Sequence, residues 1–190
     1  MPYKMIRLRQ ATKDDALFIS SGFHTAMLME DVPQQQINIF AQNICVRDDV
    51  LYSWHNTIIA EHVTDGKAEP VGMLTAYDGR HYSQWRKTTM TLVRDLLGVE
   101  FPGMEDEAVP GEYYLDSLAV LPNFRGQGIG TILLREGIRS GQALGLNVTL
   151  AVDPVNLQAQ RLYRSLGFLP DGDLFIFGHT YWKMKVGHNS

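Results

Sequence analysis

Between Tyr113 and Gly167 the chain switches twice between strand-like and helix-like patterning, and this limits the possible folds more than any other feature. Tyr113 to Leu121 reads as a strand ended by Pro122, and Ile129 to Leu144 as a helix. Asn147 to Val152 then reads as a strand, and Leu157 to Leu166 as a helix closed by Gly167. Strand, helix, strand, helix in that order predicts a parallel strand pair joined by a crossover.

Upstream, Ile6 and Leu8 alternate with Arg7 and Arg9 as in a half-buried strand, and Thr12 followed by Asp15 has the form of a helix N-cap with its returning carboxylate. The spacing predicts a helix from about Asp14 to about Met29 and another from Pro33 to about Cys45. Leu51 to Glu61 and Val71 to Tyr77, separated by Asp65-Gly66, predict a hairpin. Phe175 to Phe177 and Tyr181 to Val186 predict two last strands around Gly178. The segment from Arg80 to Gly111 interrupts this succession. Ser83 to Leu97 has helical spacing, and Pro102, Gly103, Pro110 and Gly111 then surround an acidic cluster, so about 80–111 reads as an insertion within one domain spanning 1–190.

Composition removes several function classes. The chain has 190 residues, 45% of them hydrophobic, which suits one domain with a sizeable core. A formal net charge of -4 gives no field that would attract nucleic acid or an anionic membrane. Cys45 is the only cysteine, so no internal disulfide and no cysteine-rich zinc site is expected, and a reducing cytoplasm fits. The amino terminus lacks the pattern of a secretion signal, and no apolar run is long enough to span a bilayer. His24, His55, His62, His81, His179 and His188 are scattered, with no zinc-binding spacing, and no metal is expected.

Gly126, Gly128 and Gly130 fall between the strand ending at Leu121 and the helix carrying Ile132 and Leu133. The first turn of a helix has unpartnered N–H groups and the positive end of the macrodipole, which favour phosphate. Glycine lets the backbone approach the anion at positive φ, and Arg125 or Gln127 can add donors. A Walker loop is excluded because no lysine precedes Thr131, and Gly-x-Gly-x-x-Gly fails because Thr131 stands where its last glycine belongs.

The pattern that holds is Arg125-Gly126-Gln127-Gly128-Ile129-Gly130, which resembles the coenzyme A pyrophosphate loop of the GNAT superfamily of N-acyltransferases. Downstream, Asn156-x-x-Ala159-x-x-Leu162-Tyr163-x-x-x-Gly167-Phe168 resembles a second signature of the same superfamily. The resemblance is strong from about Tyr113 to Phe168. It implies a mixed α/β (α+β) fold in which a twisted, mostly antiparallel sheet holds a central parallel strand pair and is flanked by helices.

The resemblance also implies a reaction, the transfer of an acetyl group from acetyl-CoA to a primary amine, and a set of site residues. Leu118 and Val120 would offer main-chain groups to the pantetheine arm, and the backbone N–H of one of them would meet the thioester oxyanion. Arg125, Gly126, Gln127, Gly128, Ile129, Gly130 and Thr131 would surround the pyrophosphate, with Asn156 near the pantetheine. Tyr163 occupies the position of the superfamily's usual general acid for the departing sulfur. An amine near pKa ~10.4 must lose a proton before it attacks. Asp116 is the first candidate base, on the same strand face as Val120 by the period of two, with Glu112, Tyr114 or a water chain as alternatives.

Tyr82, Trp85, Phe101 and Tyr113, with Glu105, Asp106, Glu107 and Glu112, suit either a site for a cationic amine or a solvated acidic loop beside core aromatics. The acceptor stays open, as does a homodimer. A non-catalytic acyl-CoA-binding regulatory module is the alternative to an enzyme.

Overall fold

The computed structural model describes residues 5–27, 29 and 31–187, so the first four residues, Leu28, Glu30 and the last three, His188 among them, lie outside the described residues. In chain order the elements are β1 (Met5–Gln10), α1 (Ala16–Ala26), α2 (Gln34–Phe40), β2 (Thr57–Thr64), β3 (Lys67–Asp78), α3 (Tyr82–Leu97), β4 (Glu112–Val120), α4 (Ile129–Ala143), β5 (Asn147–Val152), α5 (Leu157–Ser165), β6 (Phe168–Ile176) and β7 (His179–Val186). The sheet runs in the order β1-β2-β3-β4-β5-β7-β6. Every neighbouring pair is antiparallel except β4 and β5, which α4 joins as the expected parallel crossover.

Four boundaries differ from the sequence reading. The first helix ends at Ala26, and the second runs only from Gln34 to Phe40 before a π-helical turn, Ala41–Cys45, completes it. The strand expected from Leu51 begins at Thr57 instead. Ahead of it, Ser53 Oγ accepts from the His55 N–H at 3.1 Å, and Asn56 Nδ2 donates to the carbonyls of Val50 and Leu51, which together fold 50–56 into a turn. The last hairpin starts early, at Phe168, because a bulge between Pro170 and Gly172 lets the strand continue past proline.

Each face of the sheet has its own core. On one, Ile19, Phe23, Phe40, Tyr52, Met73 and Tyr82 pack α1, α2 and α3 against β3 and β4. On the other, Leu74, Leu115, Leu133, Val148 and Phe168 pack α4 against the central strands. Burying one such side chain fully is worth about 1.5–3 kcal/mol. Two glycines bring α4 onto the sheet, since a Cβ on Gly137 would lie 2.7 Å from Leu74 Cδ2 and one on Gly141 would lie 2.7 Å from Val148 Cγ2.

Two irregularities in β4 open the sheet near its centre. The strand pairs with β5 only over Glu112–Tyr114 against Asn147–Thr149, after which β5 pairs with β7 alone, so the facing edges of β4 and β5 part into a wedge. On its other side, Thr75 pairs with Ser117 but Ala76 pairs with Leu115, leaving Asp116 as the extra residue of a β-bulge. Among the described residues no helix is long and apolar enough to cross a membrane.

Candidate active site

A cleft of about 770 Å³ enters the wedge between β4 and β5. Its outer end is the first turn of α4. Gly126 and Gly128 have φ of 74° and 81°, and a Cβ built on either meets no atom within 4 Å, so these backbones are bare toward the opening. Gly128 is the N-cap of α4 and makes no side-chain cap bond, and the first turn has no acidic residue. Such an end presents N–H donors and a positive dipole to an anion. Arg125, Ile129, Gly130 and Thr131 also line the cleft. Arg125 Nε donates to the Val120 carbonyl at 3.0 Å, tying the loop back to β4. The Gln127 side chain turns away, donating to the Asn123 carbonyl at 3.2 Å, and is not among the cleft-lining residues.

Farther in, Leu118 and Val120 line the cleft from the unpaired stretch of β4, and Asn156 and Tyr163 line it from the α5 side. Asn156 Oδ1 accepts from the Ala159 N–H at 3.0 Å and caps α5. Among the described residues its Nδ2 group donates to no protein acceptor. Burial pushes the Tyr163 phenol up to about 12, so it keeps its proton at neutral pH. A bare helix end, an open strand edge carrying main-chain donors and acceptors, and a protonated phenol fit a pyrophosphate, an extended amide-bearing arm and a thiolate leaving group in that order.

At the inner end the bulge corrects the expectation for Asp116. Alternation by two would put Asp116 on the face of Leu118 and Val120. The extra residue shifts the phase, so Leu118 and Val120 pack on the α4 side while Asp116 accepts from Tyr77, on the α1 to α3 side. The Tyr77 hydroxyl donates to Asp116 Oδ2 at 2.5 Å and the Ser117 hydroxyl to Oδ1 at 2.6 Å. Desolvation nevertheless pushes the Asp116 carboxyl above its ordinary value, against the pull of those two bonds.

Glu107 lines the same end, and of the acids that the sequence offers for a cationic amine nothing in the residue pattern singles it out. Glu105 and Asp106 are exposed, as a solvated loop would have them, but Glu107 is only 4% exposed. Tyr82 of α3 and Tyr114 of β4 receive it. The Glu107 N–H donates to the Tyr82 hydroxyl at 3.0 Å, and the Tyr114 hydroxyl donates to Glu107 Oε2 at 2.8 Å. Arg86 pins the approach through the Met104 carbonyl at 2.8 Å and Asp106 at 3.0 Å. Burial, reinforced by the charge of Asp116, pushes the Glu107 carboxyl up to about 8. Of the alternative bases, Tyr114 lines the cleft, whereas Glu112 lies outside its lining and pairs with Lys183 at 2.8 Å. Trp85 and Phe101 are packed against the core on the α1 to α3 side and do not line the cleft. Cys45 is buried in the same core, which pushes its thiol well up.

Comparison with known proteins gives a consistent result. The model of the family described as "Acetyltransferase (GNAT) family" matches residues 29–168. A solved structure described only as an acetyltransferase is 27% identical, with a TM-score of 0.74 over 95% of this chain and 98% of that one. An N-acetyltransferase from Staphylococcus aureus Mu50 is 24% identical, with a TM-score of 0.77 over 95% of this chain and 100% of that one. NAA60 of Arabidopsis thaliana, solved in complex with acetyl-CoA, shares the fold at 19% identity and a TM-score of 0.61 over 98% of this chain and 100% of that one. No match was found among curated protein sequences.

Proposed function

Because the chain belongs to the GNAT family of acetyltransferases, whose chemistry is acyl transfer, we propose that it moves an acetyl group from acetyl-CoA to a primary amine. The observation that carries this reading is the continuity of one cleft from the bare N-terminus of α4, past the open edge of β4, to Tyr163 and Asp116. Gly126, Gly128, Ile129, Gly130 and Thr131 would hold the pyrophosphate through the backbone, with Arg125 and the main chain at Gln127 completing the loop. Leu118 and Val120 would bind the pantetheine arm as a partner strand, and Asn156 Nδ2 would add a donor from the opposite wall.

Bound in this way, acetyl-CoA supplies the activated acyl carbon. The chain's own residues orient it and manage protons. A backbone N–H of Leu118 or Val120 faces the carbonyl oxygen where negative charge develops. Tyr163 holds the proton that the sulfur requires on leaving, and Asp116 stands on the acceptor side as the carboxylate that meets the amine.

Calorimetric titration with acetyl-CoA, NADH and ATP, followed by an amine panel read out as free thiol, tests this reading. Selective acetyl-CoA binding with thiol release is the expected result. Gly128→Glu should abolish measurable binding, since it sets a carboxylate and a strained φ of 81° against the pyrophosphate. Retained affinity in that variant would remove the loop assignment. Binding without release from any amine would move the protein to the class of acyl-CoA-binding modules.

A further inference from the structure

Glu107 and Asp116 reach the acceptor end of the cleft from different elements, one from the loop ahead of β4 and one from the β4 bulge. Among the described residues neither forms an ion pair. Arg86 of α3 donates to Asp106 and to the Met104 carbonyl, and its charge pulls the Glu107 carboxyl down without undoing the upward push of burial and Asp116. Lys183 of β7 meets the backbone carbonyl of Glu107 at 3.3 Å but places its charge on Glu112. Tyr52, Tyr77, Tyr82, Tyr114 and Tyr181 complete the surroundings as neutral phenols, each held protonated by burial. Two carboxylates withdrawn from water with only neutral donors are stable when they share a proton or when a cation is brought to them.

We infer that Glu107 and Asp116 together receive the acceptor as an ammonium ion and that Glu107 takes its proton, so the acceptor is an aliphatic primary amine with no carboxylate or phosphate beside the nitrogen. This rests on the acyl-transfer reading above. The division of roles follows from the hydrogen bonds. Asp116 accepts two short ones, at 2.5 and 2.6 Å, which favour its anion, whereas Glu107 accepts one of 2.8 Å and one of 3.4 Å and also feels the charge of Asp116. Asp116 therefore holds the charge of the ammonium while Glu107 changes protonation. The ammonium gives one proton to a Glu107 oxygen, and its freed lone pair forms the carbon–nitrogen bond as the carbon–sulfur bond breaks. The second proton leaves nitrogen for water, the sulfur takes the Tyr163 proton, and solvent restores Tyr163 and discharges Glu107, with one net proton released. An amine bearing an adjacent carboxylate brings a like charge against Asp116, and an arylamine arrives neutral and gains nothing from either acid.

The test uses the full chain with n-pentylamine, norleucine, which is the same amine with a carboxylate beside the nitrogen, and aniline. The expected result is a kcat/KM for n-pentylamine at least ~100-fold above the other two, with a lower limb near pH 8 where Glu107 loses its proton. Glu107→Gln should lose that limb and about 100-fold in kcat while binding acetyl-CoA normally. Asp116→Asn should raise KM for the amine and move the limb to lower pH, because the neighbouring charge is gone. A parallel infrared titration needs no acceptor. The wild type should show one carboxylic acid deprotonating near pH 8 that Glu107→Gln lacks. Equal or better turnover of norleucine, or the same titrating band in Glu107→Gln, would overturn the inference even with acetyl-CoA binding intact. Failure of the wild type to bind acetyl-CoA would instead remove the acyl-transfer reading beneath it. If no probe amine turns over, the infrared titration decides.

Discussion

Two pairs of acids are drawn out of bulk water in this protein, and they are answered in opposite ways. At the β1–β2 edge, Glu61 accepts from Arg7 and Arg9, each at 2.6 Å, and Asp15 accepts from Arg9 at 2.7 Å. Hydrogen bonding to Arg9 holds Glu61 below its ordinary 4.5. Burial pushes Asp15 up, but Arg9 and the Thr12 N–H more than offset it and leave the carboxyl below 3.8. At the cleft, Glu107 and Asp116 receive only hydroxyl donors, and both are pushed up. A guanidinium fixes a carboxylate as an anion and makes it part of the framework. Hydroxyls alone leave its charge free to change, which is what proton transfer requires.

The contrast can be broken most strongly on the framework side. Arg9→Met would leave Asp15 without a cation and Glu61 with Arg7 alone, and should cost about 3 kcal/mol in denaturant unfolding, with acetyl-CoA affinity unchanged at temperatures where the variant is folded. Next in size, Tyr163→Phe should lower kcat about 100-fold while keeping the Glu107 limb of the pH profile. Loss of that limb would tie Tyr163 to the carboxylates and blur the separation.

Stability against pH sharpens the comparison with two slopes of opposite sign. Glu107 keeps its proton to about pH 8 when folded but only to its ordinary 4.5 when unfolded, so between those values the folded state binds more protons and stability declines as pH rises. Asp15 and Glu61 are lowered, so their contribution is present above their ordinary 3.8 and 4.5 and is lost as pH falls through the lowered folded values. Glu107→Gln should therefore melt above the wild type at about pH 9 and with it at about pH 4. The smallest effect belongs to Tyr114→Phe, which removes a 2.8 Å hydrogen bond favouring the Glu107 anion and should raise the lower limb of the rate profile by about one pH unit.

The same division explains what can be read from the residues in order. The Gly126–Gly130 loop and the Asn156–Phe168 block are legible because each pattern is carried by residues a few positions apart on one loop or helix, and the parallel crossover follows from the order of β4, α4 and β5. Asp116 is legible as a candidate but its face is not, since one extra residue opposite Thr75 and Ala76 reverses an alternation that sequence shows only as a period. Glu107 is legible only as one acid in a cluster that could meet a cationic amine, and what singles it out is tertiary. In sequence it differs in nothing from Glu105 and Asp106, and its burial comes from Tyr82, 25 positions earlier, and Tyr114, seven positions later, closing around it.

The close seating of α4 has a further consequence, which concerns leverage. Gly128, at the mouth of the cleft, and Gly141, against Val148 and Tyr113, sit near opposite ends of one rigid helix, about 20 Å apart at 1.5 Å per residue. A methyl group at Gly141 would lift the far end of this rod off the sheet and tilt the near end with it. A substitution that touches neither co-substrate nor acceptor would then misaim the first-turn N–H groups. The place where a pyrophosphate would rest is thus set partly by a hydrogen atom at the opposite end of the helix.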